Sequence, residues 1–307
     1  METDAREVLH MTPDQAEPLQ SSQYPRVIVG MPVYNGERTV EAAIQSILDQ
    51  SFRKFRLIIS DNASTDRTAD ICKEFANRDA RLTYIRQPYN LGTEANFSYV
   101  LAASACDYFC WAAADDTRSP DFLELTLQFL DSHPDYIAAT CPTRFKGSSF
   151  NSITMGDQSS TEDDPYNRIL SFFDCWHANA RFCSLFRYRA LRSWLVKPDS
   201  FLGADWLLVL QALSEGKSHR LESGYVELGK HGISNSLTIF SRYRTRPVHW
   251  IFPFFDLSKR LIQLFAETSA SGKVKLFATL IRINAIAFKT QIVYELRRLR
   301  ESMNSRR

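Results

Sequence analysis

The 307-residue sequence contains no CxxC pair. Its six cysteines, at 72, 106, 110, 141, 175 and 183, make neither a zinc pattern nor the framework of a small stapled domain, which points to a reduced, cytosolic chain. The Cys106 to Cys110 interval is the nearest approach to a metal pair, and no matching His or Cys pair follows it. No segment offers about 20 consecutive uncharged apolar residues, so no spanning helix is expected. The first 24 residues also lack apolar continuity and fit neither a signal peptide nor an anchor; a loose tail over 1–24 is expected. A glycine cradle is missing too. The first strand-to-helix turn is Pro32-Val33-Tyr34-Asn35-Gly36, without the GxGxxG of a dinucleotide-dependent oxidoreductase or the Gly-rich, Lys/Arg-bearing loop of a sugar-1-phosphate nucleotidyltransferase.

What is present, at 44% hydrophobic residues, can bury a full core. The best-marked stretch runs from Arg26 to Asp66. Val27-Ile28-Val29 and Leu57-Ile58-Ile59 read as strands, and between them Val40, Ala43, Ile44, Ile47 and Leu48 recur at helical spacing behind Thr39 as N-cap. Strands joined by one crossover helix lie parallel, and such sheets bind ligands at their carboxyl ends. Both ends are polar: Tyr34-Asn35-Gly36-Glu37 and Asp61-Asn62-Ala63-Ser64.

The pattern then repeats. A helix capped by Ser64 or Thr65 is expected to reach about Asn77, followed by a strand over Leu82 to Ile85 and a helix with Asn96 in its first turns. Asp107 to Ala113 is a nearly apolar strand, as expected for one buried on both faces. Ser119, as N-cap before Pro120, opens the next helix, and Tyr136 to Cys141 forms a further strand. These units predict an α/β fold: a Rossmann-like, mostly parallel sheet flanked by helices. Lys146 to Asp164 is long and polar, which suggests a lid or substrate loop. A strand around Phe182 to Phe186, a short helix from Arg189 to Leu195 and a helix opened by Gly203-Ala204-Asp205 follow.

Beyond Ser241 the charge changes sign. Residues 241–307 hold fourteen Lys and Arg against four Asp and Glu, net +10, so with +2 overall the preceding residues carry −8. In the last helix Phe277, Leu280, Ile281, Phe288, Ile292, Leu296 and Leu299 keep helical spacing among Lys275, Arg282, Lys289, Arg297, Arg298 and Arg300. Such a C-terminal helical extension can pack on the domain, self-associate into a homo-oligomer, or make peripheral contact with an anionic membrane.

Chemistry concentrates at the strand ends. Asp115 and Asp116 emerge from a buried strand as hard oxygen ligands suited to Mg²⁺ or Mn²⁺, whose remaining ligands would be water and substrate phosphates. The alternative is an Asp pair in a solvated turn. Asp61 can accept the imide N–H of uracil or thymine, or close an Asx turn, and the two roles can coexist.

Four ordered motifs, MPVYNGERTVEAAIQSILDQSF, LIISDNASTDRT, RQPYNLGTEANF and DYFCWAAADDTRSPDFLE, resemble those of family 2 glycosyltransferases with the GT-A fold. The match covers residues 26 to about 135 and continues more weakly to about 235. The resemblance implies a GT-A domain over 25–240 with 241–307 as extension, and an inverting transferase, hexosyl or deoxyhexosyl, that takes sugar from UDP or dTDP. Its implied partners are the nucleoside-diphosphate sugar donor and a saccharide or glycolipid acceptor of a bacterial surface glycan, and no nucleic acid. The implied location is the cytoplasm, at the inner face of the plasma membrane.

Residue by residue, Pro32, Tyr34 and Glu37 match the motif that lines the nucleotide, Asp61 the acid that reads the base, and Asn90, Gly92 and Asn96 the motif beside nucleotide and sugar. Asp115 matches the last acid of the DxD metal motif, whose first acid is here Ala113; Asp116 or His231 could complete the site. Asp205 resembles the acid that serves as general base, and His231, with Lys230 as charge partner, the histidine near the diphosphate. Arg181 and Arg187 could hold acceptor or phosphate or be surface charges, and Trp176, His177 and Trp206 could stack on a sugar or belong to the core. The competing reading is a non-catalytic nucleotide-sugar-binding or scaffolding protein, motivated by Ala113 and the basic tail.

Overall fold

The computed structural model describes residues 25–147, 153, 156–174, 180–195, 200–229 and 236–304. The chain runs β1 (Val27–Val33), α1 (Val40–Leu48), β2 (Phe55–Asp61), α2 (Thr68–Arg78), β3 (Leu82–Arg86), α3 (Thr93–Ala102), β4 (Tyr108–Trp111) and β5 (Thr117–Arg118). It continues through α4 (Phe122–Ser132), β6 (Tyr136–Thr140), β7 (Thr143–Phe145), α5 (Pro165–Ser171), β8 (Leu185–Arg187) and α6 (Ala204–Glu215). Last come β9 (Lys217–Arg220), β10 (Val226–Leu228), α7 (Ile239–Tyr243), α8 (Phe255–Leu264) and α9 (Ala270–Asn304). Two compact units divide the chain: Met1–Leu125 with Leu185–Pro198, and Thr126–Ser184 with Asp199–Arg307.

In the first unit the strands are ordered β3-β2-β1-β4-β8. The first four run parallel, with Val33 opposite Asp61 and Asp61 opposite Arg86, while β8 joins β4 antiparallel, Tyr108 opposite Arg187. The carboxyl ends of the parallel strands therefore share one edge. Helix α1 buries Val40, Ala43, Ile44, Ile47 and Leu48, the face its spacing predicts. A Cβ on Gly30 of β1 would lie 2.6 Å from the Phe109 ring and 2.9 Å from a Val100 methyl, so only glycine lets α3 approach the sheet this closely.

Helix α1 begins at Val40 directly after Thr39, as expected, and two later helix starts differ from expectation. Thr39 precedes α1 but makes no side-chain cap bond; its hydroxyl donates weakly to the Gly36 carbonyl at 3.4 Å. Helix α2 begins at Thr68, because the Ser64 hydroxyl accepts from the Asn35 N–H and the Thr65 N–H donates to the Asn35 side chain. Helix α4 begins at Phe122, and a side chain from the segment after α1 reaches its first turn. Gln50, fully buried after α1, accepts from the Leu123 N–H at 2.9 Å and donates to the Ser119 carbonyl at 2.7 Å.

In the second unit β6 pairs parallel with β9 and β7 parallel with β10. Helix α6 buries Leu207, Leu208, Val209, Leu210, Ala212 and Leu213. The expected strand at Phe182 to Phe186 is shorter: a 3-10 turn over Ala180–Cys183 precedes β8, and Tyr188–Leu195 is likewise 3-10. Part of the expected lid is pinned. Asp157 is buried and accepts from the Thr143 N–H at 2.8 Å and Arg220 Nε at 3.0 Å, and Ser160 bridges to Ser218. Residues 148–152 and 154–155 of that loop lie outside the described residues.

Helix α9 is continuous over 35 residues and packs on α5 and α8. By length and composition it is long and apolar enough to cross a membrane, although no spanning helix was expected. The difference arises because its charges are sparse through the middle of the helix. The face it buries is partly polar: Asn284 accepts from the Phe254 N–H at 2.9 Å and donates to Ser258 Oγ, and Gln291 donates to the Trp250 carbonyl.

Candidate functional site

In the first unit the loops after β1, β2, β3 and β4 form a continuous rim. Asn35, at φ 51°, takes its N–H to Ser64 Oγ at 2.9 Å and accepts from the Thr65 N–H at 2.8 Å. Glu37 and Asp66 are cross-linked: the Glu37 N–H donates to Asp66, and the Glu37 carboxylate accepts from the Arg67 N–H, both at 3.1 Å. For Asp66, burial raises the pKa, yet hydrogen bonds from Thr68 and the Glu37 backbone outweigh it and hold the carboxyl below its usual range. Gly36 stands so close to the loop after β4 that a Cβ there would lie 3.8 Å from Ala114 Cβ. Pro32 is buried in β1 opposite Ser60, and Tyr34 is half exposed at the rim.

Asp61 ends β2 with its side chain fully buried. One oxygen accepts from the Ser64 N–H at 2.8 Å, closing an Asx turn; the other accepts from Tyr84 Oη and Arg86 Nη1, each at 2.7 Å. Burial and the neighbouring Asp61 carboxylate push the Tyr84 hydroxyl up, which keeps it a donor. Arg86 is 41% exposed, so it covers Asp61 on the solvent side. Beside it, Asn62 donates to the Asn90 side chain at 2.9 Å and the Gly92 carbonyl at 3.1 Å, and accepts from the Leu91 N–H at 2.7 Å. Gly92 precedes α3 at φ 90°, a backbone conformation that favours glycine. Asn96 is buried beneath this loop, donating to the Ser60 carbonyl at 2.9 Å and accepting from Ser60 Oγ at 2.6 Å, so its contacts here are with β2.

The loop after β4 places Asp115 half-buried and Asp116 buried, with the Asp116 N–H on the Ala113 carbonyl. Among the described residues no three His, Cys, Asp or Glu side chains gather as a metal cluster. Asp115 offers hard oxygen donors of the kind Mg²⁺ or Mn²⁺ accepts alongside water and phosphate oxygens, so the donor set fits such an ion. Close by, buried Arg118 donates to the Trp111 carbonyl at 2.5 Å and lies 5.1 Å from the Phe122 ring centre. Cys110, buried below, has its thiol pushed up to about 11 by burial.

In the second unit Asp205 is exposed on the first turn of α6, after Gly203 at φ 88°. Trp206 stacks on Phe254 at 4.9 Å and meets Phe172 and Phe173 edge-on, a packed cluster of rings. Arg181 is buried, donating to the Gln158 carbonyl at 3.1 Å over the Phe172 ring. Arg187, in the first unit, donates to Tyr108 Oη at 3.1 Å, at the amino end of β4 and away from the rim. Lys230, His231, Trp176 and His177 lie outside the described residues.

Sequence reasoning missed Tyr84, Arg86 and the linking role of Asn62. A signal existed: Tyr84 and Arg86, two apart on a strand, face the same side, and parallel pairing of β2 with β3 brings the ends of those strands together.

The sequence matches the family described as glycosyl transferase family 2 over residues 28–194, more than half of the chain. Among curated relatives, the putative glycosyltransferase EpsE of Bacillus subtilis is 37% identical over 113 residues, covering 36% of this chain and 41% of that protein. The putative teichuronic acid biosynthesis glycosyltransferase TuaG of the same organism is 32% identical over 106 residues, covering 34% and 42%. The chain thus spans about two fifths of the length of either relative. Among solved structures, S. aureus TarS 1-349 in complex with UDP-GlcNAc superposes with a TM-score of 0.57 at 16% identity, over 83% of this chain and 79% of that one. The mannosyltransferase PcManGT from Pyrobaculum calidifontis, in complex with GDP-Man and Mn2+, gives 0.55 at 19% identity, over 94% and 79%. At such identities the likeness establishes the fold, a GT-A type α/β fold with a mostly parallel sheet flanked by helices and a C-terminal helix.

Proposed function

The chain belongs to glycosyl transferase family 2, and we propose that it transfers a hexosyl or deoxyhexosyl group, with inversion, from UDP- or dTDP-sugar to a hydroxyl of a bacterial surface glycan or glycolipid. The observation that carries this reading is the polar rim. Tyr34 and Glu37, Asp61, Asn90 with Gly92, and Asp115 stand on loops at the carboxyl ends of four neighbouring parallel strands, where such sheets take their ligands. Residues 25–240 are the proposed catalytic domain, 241–307 its extension, and the cytoplasm its place of work.

In this reading the base meets the end of β2, where Asp61 accepts its imide N–H once Arg86 moves aside. Asn90 and Gly92 line the nucleotide in a loop that Asn62 holds in shape, and Asn96 acts from below by fixing Ser60. Asp115 would hold Mg²⁺ or Mn²⁺, with Asp116 or His231 to complete the set. When bound, the ion supplies positive charge against the departing diphosphate. Lys230 and His231 are assigned to the same phosphates. Asp205 takes the acceptor proton as the hydroxyl oxygen attacks the anomeric carbon. The Mn2+ of PcManGT and the UDP-GlcNAc of TarS support the cation and donor class assigned to this chain.

The test is a thermal-shift panel of the whole chain with UDP, dTDP, GDP and CMP, with and without Mn²⁺, repeated on Asp115→Ala. A ligand at about 100 times its Kd adds roughly 2.7 kcal/mol, a shift of about 5–10 °C for a domain of this size. A Mn²⁺-dependent shift with UDP or dTDP, lost in the variant, is expected. No shift with any nucleotide would favour a scaffolding role.

A further inference from the structure

Helix α9 presents two apolar faces, and the second unit covers one of them. Leu276, Leu280, Ile283, Ala287 and Gln291 are at most 5% exposed, packed where α5 and α8 meet α9. The uncovered face carries Val274, Phe277, Ile281, Phe288, Ile292 and Leu296, exposed by 38–68%, and continues through Leu299 and Met303. At helical spacing these side chains fall within a stripe roughly 100° wide, and 35 residues of helix extend about 50 Å. Soluble monomers rarely leave so continuous an apolar face open to water.

The stripe has two different borders. Exposed Lys275, Arg282 and Lys289 recur every seven residues along one, and Arg300 prolongs the line. The other carries an exposed run, Trp250-Ile251-Phe252, held beside α9 where Gln291 donates to the Trp250 carbonyl and Arg244 bridges Glu295 at 2.9 Å while lying 3.4 Å from the Trp250 ring centre. A tryptophan at the edge of an apolar face, opposite a line of lysine and arginine, suits the boundary between lipid headgroups and acyl chains.

We propose that α9 seats the protein on an anionic phospholipid bilayer, lying in the plane of the membrane with the open stripe and Trp250–Phe252 inserted and the basic line at the headgroups. Charge selects this occupant over a second copy: α9 holds seven Lys and Arg against Glu295 and Glu301, so two such helices repel where anionic lipid attracts. Spanning the bilayer is disfavoured for a separate reason. It would strip Asn284 and Gln291 of their partners on the Phe254 N–H, Ser258 and the Trp250 carbonyl.

The inference is independent of the transferase reading, and its test reads no activity. Full-length protein is floated with vesicles of phosphatidylcholine alone or mixed with phosphatidylglycerol, at low and high salt. Binding is expected only with the anionic vesicles and is expected to weaken with salt. The triple variant Lys275→Gln, Lys289→Gln, Arg300→Gln should lose on the order of 100-fold in partitioning, at about five-fold per basic residue. Phe277→Ser with Ile281→Ser and Phe288→Ser should abolish it. All six side chains are exposed, so unfolding temperatures should stay put. The idea is overturned if wild type stays unbound, if neutral vesicles bind equally, if either variant floats like wild type, or if bound protein resists carbonate extraction. A dimer by light scattering that the serine variant splits, without flotation, would assign the stripe to a second copy.

Discussion

Arg86 Nη1 donates to Asp61 Oδ2 at 2.7 Å while Nη2 donates to the Ser64 carbonyl at 2.8 Å, so one guanidinium straps the turn at the end of β2. The carboxylate beneath is fully buried, and its other partners are neutral donors. Removing Arg86 leaves a buried charge short of a partner, which costs about 1–3 kcal/mol, with the lower half expected because Arg86 is 41% exposed and water can replace it. Arg86→Met should therefore lower stability by about 1–2 kcal/mol and Tyr84→Phe by about 1 kcal/mol, read from urea midpoints. The double variant should show coupling above about 0.5 kcal/mol, since both side chains serve one oxygen. Strict additivity would mean that Asp61 recruits water in either single variant.

Gln50 is the second such joint. It is fully buried and reaches the Ser46 and Ser119 carbonyls and the Leu123 N–H. Gln50→Leu keeps the volume but strands the Leu123 N–H, at about 1–3 kcal/mol, while the Ser119 carbonyl keeps the Phe122 N–H at 3.1 Å. A loss of about 1–3 kcal/mol is expected, with nucleotide binding kept in the folded fraction. A loss under about 0.5 kcal/mol would show that α4 caps itself another way.

Fold legibility follows from which signals are local. The buried face of α1, the parallel strands and the polar strand ends were readable because side-chain periodicity and crossover connectivity dictate them. The start of α2 was misread because capping by Ser64 or Thr65 is a local rule, whereas here Asn35 reaches across from another element to engage both; the bond of Gln50 to the first turn of α4 is non-local in the same way. The site shows the same division. Asp61 stood out at the end of an apolar run, while its dependence on Tyr84 and Arg86 exists only once β3 lies beside β2. Trp206 was open to either reading by composition, and the rings of Phe172, Phe173 and Phe254 place it in a packed cluster.

His219 gives the second unit an acid limb. Phe129 is sandwiched between His133 and His219, with ring centres 4.2 and 4.3 Å away and nearly parallel planes. Burial pushes the His219 imidazole below its ordinary value of 6.5, His133 pushes the same way, and Glu222 opposes both. The folded state therefore favours the neutral ring, whereas the unfolded chain takes up its proton near the ordinary value. The resulting stability is complete above about pH 6.5 and is lost as the pH falls from there towards the depressed pKa. Urea midpoints between pH 7.5 and about 5 should decline in wild type and decline less in His219→Phe. Equal slopes in the two proteins would place the acid sensitivity elsewhere.

Asp205 can be a proton acceptor or merely a favourable charge at a helix start, and the two roles separate under one substitution. It is exposed on the first turn of α6, where the helix dipole favours a carboxylate by about 0.3–1 kcal/mol. Asp205→Asn keeps the shape and side-chain carbonyl but removes the charge and the basicity. A purely structural Asp205 predicts a drop of at most about 1 kcal/mol in stability and unchanged turnover. A general base predicts a fall in kcat of about 10²–10⁴-fold, with nucleotide binding intact because the proposed nucleotide residues stand on other loops. Asp115→Ala should invert that pattern, losing the Mn²⁺-dependent part of nucleotide binding first. Measuring kcat and nucleotide Kd on both variants separates the assignments. Asp205→Asn at full turnover would remove it from the mechanism.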